Sequence, residues 1–166
     1  MTATHAAQPG AAPVTLAERR ARFRQGKAEL VDAFMAGRPS GSAARALLRT
    51  LARHVDHTLA SLWHTSGLPE GASLVAVGGY GRAELFPHSD VDVLVLLPDG
   101  LSEPNPASEP APLPQAVQEA VGRFITACWD IGLEIGSSVR TVAECVAEGT
   151  RDVTIQTAML EARFLC

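Results

Sequence analysis

Asp90 and Asp92 open an apolar run, Asp90-Val91-Asp92-Val93-Leu94-Val95-Leu96-Leu97. Side chains alternate between faces along a strand, so the two acids share one face while Val91 and Val93 take the other. Neighbouring carboxylates at the mouth of a buried strand repel each other and lose solvation, which is costly unless positive charge sits between them. A hard divalent cation meets that need, and Mg²⁺ typically binds through one or two carboxylates together with substrate phosphates. Upstream, Leu74-Val75-Ala76-Val77 ends on Gly78-Gly79, where the lack of Cβ lets main-chain N–H groups approach a phosphate. Arg82 adds a forked phosphate donor and Ser89 a hydroxyl. Metal carboxylates and a phosphate cradle this close in sequence point to phosphoryl or nucleotidyl transfer.

Each assignment has a plainer alternative. Asp90 and Asp92 can be a turn aspartate followed by a strand-edge aspartate, and Arg82 can pair with Glu84. His88 and Ser89 border the acidic strand and can position it by hydrogen bonding. Arg140 suits a phosphate or a structural partner equally. Glu134 lies between Leu133 and Ile135 on a short apolar stretch, where strands deplete glutamate. It is either a third carboxylate of the cluster or an edge residue facing water.

An apolar-Gly-Gly step, a gap of about ten residues and Asp-apolar-Asp-apolar resemble the DNA-polymerase-beta-like nucleotidyltransferase superfamily. The fuller string GGYGRAELFPHSDVDVLVLL resembles the bacterial PII uridylyltransferase (uridylyl-removing) family, and the likeness continues through Trp129 to Thr141 and Asp152 to Arg163. Ala83 stands where that family usually has glycine, and Ser137 where it often has histidine. The resemblance implies a nucleotidyltransferase fold, with Glu134 as the third carboxylate beside Asp90 and Asp92. It also implies UTP as donor, a tyrosine of the PII nitrogen-signalling protein as acceptor, and a two-metal in-line displacement that releases pyrophosphate. Asp90, Asp92 and Glu134 are thus the candidate catalytic and Mg²⁺-binding residues, and Gly78, Gly79, Arg82 and Ser89 the candidate nucleotide-binding ones. The residues by themselves select neither uracil nor a protein acceptor. An adenylyltransferase, a small-molecule nucleotidyltransferase and a nucleotide-binding module without turnover remain open. A Rossmann-type site fails, because GGYGRAE lacks the GxGxxG spacing. Members of the resembling family carry later phosphohydrolase and glutamine-sensing domains. No His-Asp doublet occurs in this chain, so those activities are expected outside it.

The elements that must position these residues are legible from periodicity and caps. Residues 1–14 read as a disordered leader. Thr15 and Glu18 form a capping-box pattern opening a helix over 16–36, and Gly37-Arg38-Pro39-Ser40-Gly41 breaks it. A second helix over 42–65 carries a stripe of Leu48, Leu51, Val55, Leu59 and Leu62. His54, His57 and His64 fall on it without the acid that a zinc motif would need, and read as surface or partly buried side chains. Strands are expected over 74–77, 90–97 and 133–139, with a possible single helical turn between Tyr80 and Ser89. Helices are expected over 115–130, from Thr141 to Glu148, and from Val153, capped by Asp152, to Ala162. The proline-rich stretch 98–114 reads as a flexible connection. The expected organisation is N-terminal helices over 15–66 and a nucleotidyltransferase core over 67–166. The fold class is α/β (α+β), a small mixed sheet with the acids, packed by helices on one side.

With 166 residues, 46% hydrophobic and 19% charged, the chain suits one soluble domain with a real core. A net charge of −4 argues against a general nucleic-acid binder. No apolar run approaches a membrane span and the N-terminus lacks a signal-peptide pattern, so a cytoplasmic protein is expected. The three cysteines form no CxxC pair and read as small buried hydrophobes. Cys166 follows Phe164-Leu165 directly, which leads to the expectation of a C-terminally truncated fragment of a longer protein.

Overall fold

In a computed structural model of the chain, residues 14–101 and 112–166 are described. The leader, apart from Val14, and most of the proline-rich connection lie outside the described residues. The first helix, α1 (Leu16–Ala36), begins on the expected capping box. The Thr15 hydroxyl accepts from the Glu18 N–H at 3.2 Å, and the Glu18 carboxylate accepts from the Thr15 N–H at 2.9 Å. The second, α2 (Gly41–Ser66), is capped by the Ser40 hydroxyl and ends at Gly67, whose φ of 70° is the left-handed stop that glycine adopts without strain.

Strand β1 (Ser73–Ala76) leads into a single helical turn, α3 (Gly78–Gly81). The turn starts earlier than the sequence suggests. Gly78, at φ 57°, lets the chain leave the strand and coil at once, and 82–90 then runs without regular structure. Strand β2 (Val91–Leu97) follows, then α4 (Gln115–Ile131), which ends at left-handed Gly132. Strand β3 (Ile135–Thr141) begins two residues later than expected, which leaves Glu134 just outside it. Leu133 is buried and its N–H still bonds to the Cys128 carbonyl in the helix terminus, so the strand can form only beyond it. A second capping box, Thr141 with Glu144, opens α5 (Val142–Arg151), which runs past Glu148. Asp152 then caps α6 (Val153–Leu160) through its bond from the Thr154 N–H.

A fourth strand, β4 (Arg163–Phe164), was not foreseen; two residues are too few to show a period. The sheet order is β3-β2-β1-β4, with β2 and β3 parallel and the other pairs antiparallel. The parallel pair is joined through α4, the crossover such pairing requires. Val91, Val93, Val95 and Leu97 face the helices, and their core includes Leu51 and Leu59 of α2 and Phe124 of α4. Helices are not confined to that side. On the other face, Val75, Leu94 and Leu96 border an apolar trough whose opposite wall is Val142, Cys145 and Val146 of α5 with Met159 of α6. The chain continues directly from β3 into α5, which carries that short pair across the edge of the sheet.

Candidate active site

The alternation that buries Val91 and Val93 turns Asp90 and Asp92 to the face away from the helical core. Both are exposed, and the Asp92 main chain is fixed at the sheet end by its carbonyl, which accepts from the Val77 N–H at 3.1 Å. The Val91 N–H donates to the Glu134 carbonyl at 2.9 Å and Val91 pairs with Ile135, so Glu134 comes level with Asp90. Asp92 pairs in turn with Gly136. Asp90 and Asp92 share a face by alternation, and Glu134, one residue before β3, is brought beside Asp90 by its main chain.

Two glycines make room for Asp92. A Cβ on Gly136 would lie 2.4 Å from Asp92 Oδ1, and one on Gly78 would lie 3.6 Å from Oδ2. Partial burial, and then the charge of Asp90, raise the Asp92 carboxyl above the ordinary carboxylate range. Among the described residues no lysine, arginine or histidine is ion-paired with Asp90, Asp92 or Glu134. Hard oxygen donors without a cationic side-chain partner fit a divalent cation. The side chains do not converge as a closed cage: among the described residues, no three His, Cys, Asp or Glu side chains group as a metal site.

The remaining sequence-derived candidates are distributed around this face. Gly78 and Gly79 form the first half of α3, immediately beside Asp92. Arg82 lies next to Gly79 but is half-exposed and engaged, at 3.4 Å from Glu84 and 2.5 Å from Glu161. The Glu84 pairing is the alternative already open from the sequence; Glu161 is an additional partner. Ser89 and Glu134 line a cavity of about 130 Å³ with Lys27, His54, Phe86 and His88, which Asp90 and Asp92 do not line. Arg140 lies away from the acids, at the far end of β3, beside Leu97 and Asp99. His54 stacks on Phe23 and its Nε2 lies 3.0 Å from the Phe23 carbonyl, a structural role.

Sequence reasoning missed the group that holds α3. Tyr80 is buried and its hydroxyl donates to Asp56 of α2 at 2.5 Å, while Arg163 of β4 clasps the same carboxylate at 2.9 and 3.1 Å. One signal was available. Asp56 falls four residues after Ala52 and three before Leu59, both fully buried, so an acid sits on the apolar stripe of α2. The crowding at Gly136 and Gly81 had no sequence signal, since it depends on distant chain.

Residues 59–144, just over half of the chain, match the nucleotidyltransferase domain family. The match runs from within α2 to the start of α5 and includes all three acids. The chain is 47% identical over 153 residues to the bifunctional uridylyltransferase/uridylyl-removing enzyme of Burkholderia thailandensis, covering 92% of this chain and 16% of that protein. Its counterpart in Burkholderia pseudomallei is 49% identical over the same coverage. That of Burkholderia vietnamiensis is 49% identical over 87% of this chain and 15% of its own length. The chain therefore spans about one-sixth of the length of the curated relatives it matches. With Asp90, Asp92 and Glu134 all inside the matched segment, the chain belongs to the nucleotidyltransferase domain family.

Proposed function

We propose that this chain carries the nucleotidyl-transfer site of a uridylyltransferase, moving UMP from UTP to a tyrosine of the PII nitrogen-regulatory protein with Mg²⁺. The observation that supports the reading is the register that brings the main chain of Glu134 beside Asp90 at one end of β2, with Asp92 on the same strand face as Asp90 and the glycines of α3 alongside. The named activity of the similar Burkholderia enzymes favours uridylyl over adenylyl transfer.

In this reading Asp90, Asp92 and Glu134 hold the divalent cations. When bound, these supply neutralisation of the triphosphate and a lowered pKa for the acceptor hydroxyl. Gly78 and Gly79 let the triphosphate approach main-chain N–H groups without a Cβ in the way. Ser89 offers a hydroxyl, and Arg82 reaches phosphate by exchanging Glu84 and Glu161 for it. The tyrosine oxygen attacks the α-phosphorus, the bond to the β-phosphate breaks, and pyrophosphate leaves with the electron pair. The hydroxyl proton passes to solvent. Among the described residues no helix is long and apolar enough to cross a membrane, and we place the reaction in the cytoplasm.

The test is titration of the folded chain with UTP, ATP and CTP, with and without Mg²⁺, beside Asp92→Asn. UTP-selective binding that requires Mg²⁺ and Asp92 supports the site. Equal binding of the three nucleotides argues against a uridylyl donor, and binding unaffected by chelation or by Asp92→Asn argues against the carboxylate assignment. Transfer is read by incubating a polypeptide of the relatives' full length with UTP and PII, then mapping the modified residue by mass spectrometry.

A further inference from the structure

Three segments far apart in sequence meet at α3. Arg163 Nη1 and Nη2 donate to the two oxygens of Asp56, Nε donates to the Gly81 carbonyl at 3.2 Å, and Nη2 also reaches the Tyr80 carbonyl at 3.4 Å. The guanidinium carbon lies 5.4 Å from the Tyr80 ring centroid, a cation–π contact, while the Tyr80 hydroxyl donates to Asp56. The next turn outward is equally tight. A Cβ on Gly81 would lie 2.0 Å from the Glu161 carbonyl oxygen, so only glycine lets α3 pack against the 161–163 segment. Arg82 then pairs with the Glu161 side chain.

A planar fork of five N–H donors can hold a carboxylate and two carbonyls at once; an ammonium, a point charge, cannot reproduce that geometry. Every polar contact of the Arg163 side chain among the described residues goes either to Asp56 or to the α3 main chain. Gly78, at the other end of the same turn, sits against Asp92. A shift of Tyr80 and Gly81 therefore moves the glycines relative to the acids.

We propose that Asp56 and Arg163 are positioning residues that clamp α3, fixing the Gly78–Gly79 main chain where it must meet the triphosphate beside Asp92. The inference rests on the nucleotidyl-transfer reading above. Neither residue touches the reacting atoms; they act through the loop.

The test uses the chain with Arg163→Lys, Asp56→Asn and Tyr80→Phe, the last deleting one hydroxyl and so the mildest to the fold. Circular dichroism confirms folding, hydrogen exchange reports the amides of 78–83, and calorimetry reports Mg²⁺-dependent UTP binding well below the melting temperature. The clamp predicts faster exchange confined to 78–83 and a roughly tenfold weaker affinity in Arg163→Lys, with a smaller loss in Tyr80→Phe. A merely structural role would lower the melting temperature and leave affinity intact, and that result overturns the proposal. Tyr80 is the only tyrosine, so its alkaline absorbance change reads the clamp directly. It should ionise at lower pH in Asp56→Asn; an unchanged titration also counts against the clamp. If the wild-type chain binds no UTP, the functional reading falls and the positioning role with it. If the wild type binds and folded variants bind equally well, only the positioning role falls.

Discussion

Asp92 and Gly136 stand opposite one another in the parallel pair, and Asp92 Oδ1 fills the space that a Gly136 side chain would take. The neighbouring strand thus contributes an absence: its missing Cβ allows the carboxylate to lie over β3 at Gly136. Gly136 is not in the left-handed region, so an alanine there strains no dihedral and acts only by contact.

Gly136→Ala should therefore leave a folded protein with a displaced Asp92. Its predicted Cβ distance of 2.4 Å is far inside contact, so the carboxylate must swing away. The expected result is a roughly tenfold loss of Mg²⁺-dependent UTP affinity, because the displaced carboxylate no longer holds the cation where the triphosphate meets it. Calorimetry on Gly136→Ala beside the wild type checks it; unchanged affinity would remove Asp92 from the site.

Asp92→Asn should separate binding from stability. The folded-state pKa of Asp92 is raised by burial and by Asp90, so the folded chain holds this proton more tightly than the unfolded one. Its contribution to stability is complete below the ordinary carboxylate pKa and is lost as pH rises through the raised value. At neutral pH the charged carboxylate opposes folding, and the asparagine variant should melt at an equal or higher temperature. That difference should close on acidification. Added Mg²⁺ should raise the melting temperature of the wild type more than that of the variant, because only binding to the folded state stabilises it. Thermal melts across pH, with and without Mg²⁺, give both readings.

The acids and the glycine pair were legible because their chemistry is local: alternation along β2 and a missing Cβ before it need no knowledge of the rest of the fold. Helix caps were legible for the same reason, at Thr15, Thr141 and Asp152. Glu134 was placed within a strand because its apolar neighbours mimic one, whereas the buried Leu133 belongs to the end of α4. Its alignment with Asp90 comes from sheet register, which no single segment encodes. β4 and the Asp56–Arg163 pair were hidden by distance along the chain, since a bridge between α2 and the residues after α6 leaves no periodic trace.

Arg82→Ala distinguishes two roles for one guanidinium. Its partners Glu84 and Glu161 are themselves substantially exposed, so losing the pairs should change the melting temperature little. A phosphate contact predicts that UTP affinity falls while nucleotide-free stability holds, and that the loss shrinks at high salt as screening weakens the wild-type contact. A variant that binds UTP normally would confine Arg82 to its surface ion pairs.

Ala83 offers a prediction about strain. Among the described residues it is the one non-glycine residue at positive φ, 58°. The left-handed region crowds an L-residue's Cβ against the following carbonyl, a cost of about 1–2 kcal/mol that glycine avoids. Glycine gives back part of that gain, about 0.5–1 kcal/mol, through its freer unfolded chain. Ala83→Gly should thus stabilise the protein by about 0.5–1 kcal/mol, raising the melting temperature by about 1–4 °C. The Ala83 N–H bonds to the Tyr80 carbonyl at 3.0 Å, so the strain is held at the exit of α3, where the clamp acts. If relief there also lets the loop settle, UTP affinity should rise or hold in the same variant. Chemical denaturation alongside calorimetry checks both, and a destabilised Ala83→Gly would show that the alanine side chain, which packs against the core, outweighs its backbone cost.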